Sequence, residues 1–322
     1  MNLKPTIEAD FIADEPFSLE SGEILPELKL RFTVYGELNR ERDNAVLVFH
    51  ALTGSAQIGE WWAGLIGSES MLDTDKYAFV CANYIGSCYG STRAIKSLIT
   101  TRDIVRTQIK LLQHLKINRL KAVIGGSLGG QLALQLAVDF PDLAEKCVAI
   151  GACELPAMGL ALNHLQRESV RQTGNVGLAR AIAMLSYKSA EMFAAKFARR
   201  PNRTGENPAN SLTERFDVAG YLDYQAAKFE ARFDARAYNL ISKAMDLFEL
   251  TNDDCARLKA QTTLVGISSD WLFPPSDVRA LATRLNALYL EMSSPDGHDA
   301  FLSDQSQMSE ILKSLLSTDK HR

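Results

Sequence analysis

The 322-residue chain has little that points to secretion, to membranes or to nucleic acid. Its five cysteines are odd in number and scattered, with no CxxC pair, and no HxxxH pair occurs, so a zinc site is not predicted. Lys and Arg number 35 against 39 Asp and Glu, and a formal net charge of −4 does not favour binding to nucleic acid or to an anionic membrane.

Long apolar runs are also missing. The N-terminal stretch is acidic and contains no apolar segment of signal-peptide length, and no segment approaches the roughly 20 apolar residues that a transmembrane helix needs. We therefore expect a cytoplasmic protein with no membrane and no nucleic-acid partner. Hydrophobic residues make up 46% of the chain, which is the composition of an ordinary globular protein.

Strand and helix signals alternate along the first third of the chain and again near its end. Continuous apolar runs, typical of strands buried on both faces, and one alternating run predict strands at 29–38, 44–52, 77–84, 120–124, 147–150, 262–267 and 288–292. Apolar residues at helical spacing predict helices at 101–115, 131–140, 275–286 and 301–316. This alternation predicts an α/β fold with a mostly parallel sheet and helices on both faces.

The alternation stops after about Gly151 and resumes near residue 255. The span between is helical and polar-faced, with a stretch at 200–210 rich in Pro, Asn, Arg and Gly that predicts an exposed loop. We therefore predict one α/β core domain built from residues 1–151 and 255–322, interrupted by a helical lid insertion at 152–254.

Residues 125–129 read Gly-Gly-Ser-Leu-Gly and match G-x-S-x-G. Because the motif follows a predicted buried strand and opens a helix, it predicts a nucleophile elbow that presents the hydroxyl of Ser127. The backbone N–H of Leu128, at the helix N-terminus, would then face a developing oxyanion. A phosphate-binding loop would need Lys-Ser/Thr after the last glycine, where Gln131 and Leu132 stand. A tight strand-to-helix turn without catalytic function is the other alternative.

A serine nucleophile needs a base and an orienting carboxylate, which in this fold follow in the order Ser, Asp or Glu, His. His298, in a loop after the last predicted strand, meets this order, and a solvated loop histidine is the alternative. Asp270 follows the preceding strand and is the predicted acid, with a turn or cap residue as the alternative. The other histidines precede the serine, lie in the insertion or stand in the terminal tail: His50, His114, His164 and His321.

Several motifs around these residues belong together. They are HALTG at 50–54, GSCYGST at 86–92, the insertion signature between 221 and 234, DWLFPP at 270–275 and GHDAFL at 297–302. In these motifs the chain resembles the homoserine O-acetyltransferase family of α/β-hydrolase-fold acyltransferases, from about residue 21 to residue 304. The resemblance implies the α/β-hydrolase fold. The chain departs from the family in a shorter segment between Arg167 and Arg180 and in Ser87, where glycine is common.

The resemblance also implies roles for three further residues. The backbone N–H of Leu52 would be the second oxyanion donor beside that of Leu128. Arg180 would hold the carboxylate of an amino-acid substrate, a pairing that suits guanidinium geometry, and Asp299 would hold its ammonium group. A surface arginine and a helix-capping aspartate are the respective alternatives.

The function implied by the resemblance is ping-pong transfer of an acetyl group from acetyl-CoA to the hydroxyl of L-homoserine, a step of methionine biosynthesis. This reaction needs no metal and no bound cofactor, since acetyl-CoA is a co-substrate. The resemblance also implies a homodimer formed through the insertion. A succinyl-CoA donor, a serine acceptor and an esterase of the same fold stay open. A non-catalytic binding protein on this fold is an alternative of a different functional class. Such a protein would not need an intact set of Ser, Asp and His.

Overall fold

The computed structural model describes residues 3–316. Its strands are β1 Ile7–Ile12, β2 Phe17–Ser18, β3 Ile24–Leu25, β4 Lys29–Tyr35, β5 Ala45–Phe49, β6 Ile66–Gly67, β7 Leu72–Asp73, β8 Ala78–Ala82, β9 Leu120–Gly126, β10 Ala144–Ile150, β11 Gln261–Ile267 and β12 Leu288–Met292. Its α-helices are α1 Ile58–Trp61, α2 Thr101–His114, α3 Leu128–Asp139, α4 Ala157–Thr173, α5 Gly177–Tyr187, α6 Ala190–Phe197, α7 Asp217–Glu230, α8 Ala235–Asp246, α9 Asn252–Arg257, α10 Pro275–Arg284, α11 Ala300–Ser303 and α12 Gln305–Leu316. A 3₁₀ turn covers Gly297–Asp299.

Eight strands form one sheet in the order β1-β4-β8-β5-β9-β10-β11-β12. β4 runs antiparallel to β1 and to β8, and the remaining neighbours are parallel, so the predicted mostly parallel sheet is confirmed. Successive side chains of a strand point to opposite faces. In β5, Leu47 and Phe49 pack into one hydrophobic cluster and Val46 and Val48 into the other, so both faces of the sheet are covered.

Local sequence explains where the helix before the serine turn begins. The side chain of Thr100 accepts a hydrogen bond from the Asp103 N–H (3.1 Å), and the Asp103 carboxylate accepts one from the Thr100 N–H (3.2 Å). This capping box satisfies N–H groups that have no acceptor within the helix. Ile104, Leu111 and Leu112 of α2 are buried in the hydrophobic core, as their helical spacing predicts.

The structure differs from the sequence prediction at both ends of the chain. The predicted helix at 301–316 is divided into α11 and α12, because Asp304 leaves the helical conformation and its carboxylate accepts the Gln307 N–H (3.2 Å) as a new cap. Strand β1 was not predicted, since its sequence IEADFI lies at the sheet edge and only Phe11 is buried. The stretch at 200–210 is largely exposed and irregular, as predicted.

Six helices, α4 to α9, lie between β10 and β11, and the first five of them lie wholly in the span where the insertion is predicted. α5 packs against both α4 and α7, and α4 packs against α8. The predicted end of the insertion at residue 254 falls inside α9, which packs against α3 of the α/β layer. Among residues 3–316 no helix combines the length and the apolar character needed to cross a bilayer.

Candidate active site

Ser127 stands at the sharp turn between β9 and α3. Its φ of 59° and ψ of −129° lie in a backbone region that residues other than glycine rarely adopt. Backbone strain of this kind is concentrated at functional sites. The Ser127 N–H donates to the Ile150 carbonyl at 2.8 Å and fixes the turn to β10. A Cβ on Gly125 would lie 2.1 Å from the Gly129 carbonyl oxygen, and one on Gly129 would lie 2.3 Å from that of Phe49, so the turn requires both glycines.

The three predicted catalytic side chains form one continuous chain of hydrogen bonds. The Nδ1–H of His298 faces Asp270 Oδ2 at 2.6 Å, and in that tautomer Nε2 accepts from the Ser127 hydroxyl at 2.8 Å. The other oxygen of Asp270 accepts the N–H groups of Leu272 (2.9 Å) and Phe273 (3.0 Å). Ser127, Asp270 and His298 are 5%, 3% and 2% exposed, so water competes little with these contacts.

Two opposing influences set the pKa of His298. Burial, the largest influence, disfavours the charged ring and lowers the pKa, whereas the Asp270 charge and the hydrogen bond to it favour protonation. The net result is a pKa above the ordinary value of histidine. The arrangement therefore stabilises the imidazolium that forms when the ring takes a proton from Ser127, as a general base must.

The acid and base loops leave the carboxyl ends of the neighbouring parallel strands β11 and β12 and are bonded to each other. The Ser269 hydroxyl donates to the Ser294 carbonyl (2.5 Å) and accepts the N–H of Gly297 (2.9 Å). Because Ser269 precedes Asp270 and Gly297 precedes His298, these bonds hold acid and base at a fixed separation.

The end of α5 rests on both catalytic loops. The indole N–H of Trp271 donates to the Leu185 carbonyl at 3.1 Å, and the Ser189 hydroxyl donates to the Pro295 carbonyl. Lys188 Nζ lies 3.1 Å from Asp299 Oδ2. Sequence reasoning did not find these contacts. Lys188 belongs to no motif, and the motif at 270–275 that contains Trp271 does not reveal a partner that lies far away along the chain.

A cavity of about 200 Å³ opens beside Ser127 and His298. Leu52, Arg180 and Asp299, the three residues singled out by resemblance, line the same cavity. Leu128 is the first residue of α3, and the first N–H groups of a helix have no acceptor within it. The structure thus brings all seven predicted site residues together, with Asp270 behind the histidine.

Arg180 and Asp299, which line the cavity together with Arg232, differ in their partners. The Arg180 guanidinium lies 5.4 Å from the ring centroids of both Tyr187 and Phe229 and forms no ion pair within residues 3–316. Asp299 is paired with Lys188 through Oδ2. The cavity therefore offers an arginine charge that a ligand carboxylate could neutralise. In the described part of the chain, no group of three or more His, Cys, Asp or Glu side chains is placed to hold a metal ion.

Comparison with known proteins identifies the family. A family model of the α/β hydrolase fold matches residues 44–305. The homoserine O-acetyltransferase of Thermus thermophilus is 38% identical over 368 aligned positions, which cover 97% of this chain and 92% of that protein. The chain belongs to the homoserine O-acetyltransferase family. This membership confirms the resemblance drawn from the sequence motifs.

Solved structures of this fold include enzymes of two kinds. The homoserine O-acetyltransferase of Bacillus anthracis superposes with a TM-score of 0.86 at 19% identity over 98% of both chains. The acetyl esterase MekB superposes with a TM-score of 0.82 at 22% identity over 97% of both chains. At these identities the likeness establishes the α/β-hydrolase fold, and the fold alone does not distinguish a transferase from an esterase.

Proposed function

We propose that this member of the homoserine O-acetyltransferase family transfers an acetyl group from acetyl-CoA to the hydroxyl of L-homoserine by a ping-pong mechanism. The observation that carries the proposal is a single cavity that contains a Ser127–His298 pair, the unpaired charge of Arg180 and the carboxylate of Asp299. Ser127 and His298 suit acyl transfer, whereas the opposite charges of Arg180 and Asp299 suit a zwitterionic amino acid.

In the first half-reaction His298 Nε2 takes the Ser127 proton as Oγ attacks the thioester carbonyl of acetyl-CoA. The N–H groups of Leu52 and Leu128 would bind the oxyanion, and donors of this kind contribute roughly 2.7–4 kcal/mol each. The tetrahedral adduct collapses, the C–S bond breaks and the CoA sulfur takes the proton from His298. Acetyl-Ser127 and free CoA thiol are the products.

In the second half-reaction the hydroxyl of homoserine gives its proton to His298 and attacks acetyl-Ser127. Ser127 Oγ leaves, recovers the proton from His298 and releases O-acetylhomoserine. The cavity, at about 200 Å³, is smaller than the roughly 300–1,000 Å³ of pockets that enclose drug-sized ligands. It suits a small acceptor, and most of CoA would lie outside it. Arg180 and Tyr187 of α5 line the cavity, and this helix would limit the access of water to the acyl-enzyme.

Charge separates this proposal from an ester hydrolase of the same fold. An esterase needs only the nucleophile, base, acid and oxyanion donors. It has no use for an arginine held between two aromatic rings without an ionic partner in the described chain, because an unneutralised charge in a cavity is unfavourable. We therefore propose that Arg180 binds the acceptor carboxylate and Asp299 its ammonium group.

Variants of Arg180 and Asp299 test this assignment. We expect Arg180→Gln and Asp299→Asn to raise KM for homoserine by about 10- to 100-fold, since a hydrogen bond to a charged group contributes about 1.5–3 kcal/mol. Release of thiol from acetyl-CoA in the absence of acceptor should change less than threefold in Arg180→Gln, because acylation of Ser127 does not involve the acceptor. The measurement is the steady-state rate of acetyl transfer with homoserine, with serine and with water alone as the acceptor. The mass of the product then identifies which acceptor was acetylated.

Arg236→Gln is the matched control, because Arg236 binds the Ile95 carbonyl and lies away from the cavity lining. It should leave KM for homoserine unchanged. An acceptor KM that stays at the wild-type value in both Arg180→Gln and Asp299→Asn would contradict the zwitterion site. Thiol release that is as fast without acceptor as with it would favour an esterase, and succinyl-CoA in place of acetyl-CoA tests the donor.

Lys188 provides a further prediction, because its ammonium group already occupies one oxygen of Asp299. The substrate ammonium has to displace it or share the carboxylate with it. Removing Lys188 should therefore lower KM for homoserine, by up to about fivefold for a partly exposed pair of up to about 1 kcal/mol. Lys188→Met against Lys188→Arg, which keeps the charge, is the comparison to make by steady-state kinetics. A KM that rises in Lys188→Met alone would mean that the pair mainly positions Asp299.

We also propose that the protein is cytoplasmic, needs no bound cofactor and forms a homodimer. The five cysteines are free, which agrees with a reducing compartment. Apolar side chains on the outer faces of two insertion helices support self-association there, because exposed apolar patches mark interaction surfaces. They are Met158 and Leu165 of α4 and Leu178 and Leu185 of α5.

A further inference from the structure

His50 is a buried histidine that the triad does not use. It follows β5 directly, two residues before Leu52, and is 1% exposed. Its Nδ1 lies 2.8 Å from the carbonyl oxygen of Ala51, while its Nε2 is buried and has no hydrogen-bond partner in the described chain. Burial lowers the pKa of His50 to about 4, against the smaller opposite influence of the bond to Ala51. The ring is therefore neutral, and its one proton is on Nδ1, since a carbonyl oxygen can only accept.

The Ala51 carbonyl determines the direction of the N–H next to it. It accepts two hydrogen bonds, from His50 Nδ1–H and from the Gly54 N–H at 2.9 Å. The Ala51 carbonyl and the Leu52 N–H belong to the same peptide unit, which is planar and trans, so they point in opposite directions. Two donors on the carbonyl oxygen therefore fix the orientation of the Leu52 N–H.

The imidazole is itself held in place. Its ring stacks on Tyr84, with centroids 3.8 Å apart and ring planes inclined by 17°. The Tyr84 hydroxyl donates to the His50 carbonyl at 2.6 Å. Both contacts come from Tyr84, two residues beyond the end of β8, and β8 lies beside β5 in the sheet, so the two neighbouring strands support the orientation of the ring.

We propose that His50 is a positioning residue that holds the Ala51–Leu52 peptide so that the Leu52 N–H faces the acyl oxygen bound at Ser127. The inference rests on the proposed acyl chemistry at Ser127, but not on the identity of the donor or the acceptor. His50 is not among the residues that line the cavity beside Ser127, so it would act only through the peptide. The buried Nε2 without a partner indicates that the side chain serves through Nδ1 alone.

Three substitutions separate this role from simple packing. Asn places its amide nitrogen close to the position of His Nδ1, Gln places its nitrogen one carbon further out, and Leu has no donor. We expect His50→Leu and His50→Gln to lower kcat by about 10- to 100-fold, below the 10²–10³-fold loss of a whole oxyanion donor. KM should stay within about twofold, and His50→Asn should recover most of kcat.

The assay uses the full chain with p-nitrophenyl acetate, whose phenolate release reports acylation of Ser127 without any amino-acid acceptor. Equal losses in His50→Asn and His50→Leu, or a wild-type rate in His50→Leu, would overturn the proposal. A change confined to KM would overturn it as well. If His50→Leu does not fold, the pair His50→Asn and His50→Gln decides by the same criterion. A wild-type protein that cleaves the ester but acetylates no amino acid would refute the proposed acceptor and leave this comparison intact.

Discussion

Ser127→Ala is expected to remove thiol release from acetyl-CoA almost completely, with kcat lower by about 10⁶-fold, the loss seen when a triad serine is removed from a serine protease. Ser127 Oγ is the only hydroxyl bonded to His298 Nε2 in the described structure, so no neighbouring group can take its place. Alanine keeps the backbone free of new contacts, because it only deletes the oxygen. The measurements are thiol release and the mass of the intact protein after mixing with acetyl-CoA, where the wild type alone should carry an acetyl adduct.

Ser87→Ala is a matched control for this experiment. Ser87 is a second buried serine, and its hydroxyl has no hydrogen-bond partner in residues 3–316, so its loss should leave the rate unchanged. A Ser127→Ala protein that folds, by its melting temperature, and still transfers acetyl groups at the wild-type rate would refute the nucleophile. The non-catalytic binding protein that the sequence alone leaves open would be favoured by a different result, a wild type that neither releases thiol from acetyl-CoA nor gains an acetyl adduct.

The triad could be predicted from the sequence because chain order constrains it strongly. Only five histidines occur. Two of them follow both the serine turn and the strand that precedes Asp270, and of these His298 stands in the loop after the last strand whereas His321 stands in the terminal tail. The glycines of the elbow are equally informative, since the close approach of β5 to the turn leaves no space for a Cβ at Gly129. Features of this kind can be predicted from the sequence because they depend on neighbouring residues and on the order of the strands.

Contacts between distant segments could not be predicted in the same way. The pairing of Lys188 with Asp299 joins the end of an insertion helix to the base loop, and no spacing rule encodes it. The same holds for His50, which chain order rightly excludes as the base. Its contact with Ala51 becomes visible only when the loop after β5 is folded against Tyr84. The edge strand β1 was missed because an acidic, mostly exposed strand lacks the apolar run on which strand prediction depends.

Asp270→Asn is the second substitution with a large expected effect, both on rate and on pH dependence. An asparagine amide would donate to His298 Nδ1 and force the proton onto Nε2, which could then no longer accept the Ser127 hydroxyl. In a serine protease the same change lowers kcat by about 10⁴-fold, and we expect a loss of that order here. In the wild type, Asp270 Oδ1 accepts the N–H groups of Leu272 and Phe273. The side-chain oxygen of asparagine can accept the same two bonds, so the acid loop should keep its fold in Asp270→Asn.

The pH dependence follows from the direction of the His298 pKa. The base works only when neutral, so kcat/KM of the wild type should rise with pH through a pKa above the ordinary histidine value of about 6.5. Burial, the largest influence, lowers this pKa, whereas the charge of Asp270 and the hydrogen bond to it are the main influences that raise it, with a smaller contribution from the charge of Asp299. Without the carboxylate the acid limb of the residual activity should therefore move to lower pH.

Asp296→Asn is the matched control for that profile. Asp296 stands in the same loop as His298, but its carboxylate accepts from the Ser303 hydroxyl at 2.5 Å and not from the histidine, so the rate and the acid limb should stay where the wild type has them. The measurement is kcat/KM for acetyl-CoA thiol release from about pH 5 to pH 9 in all three proteins. An acid limb that stays in place or moves upward in Asp270→Asn would mean that another group sets the protonation of His298. The hydrogen-bonded chain from Asp270 to Ser127 would then not be the catalytic one.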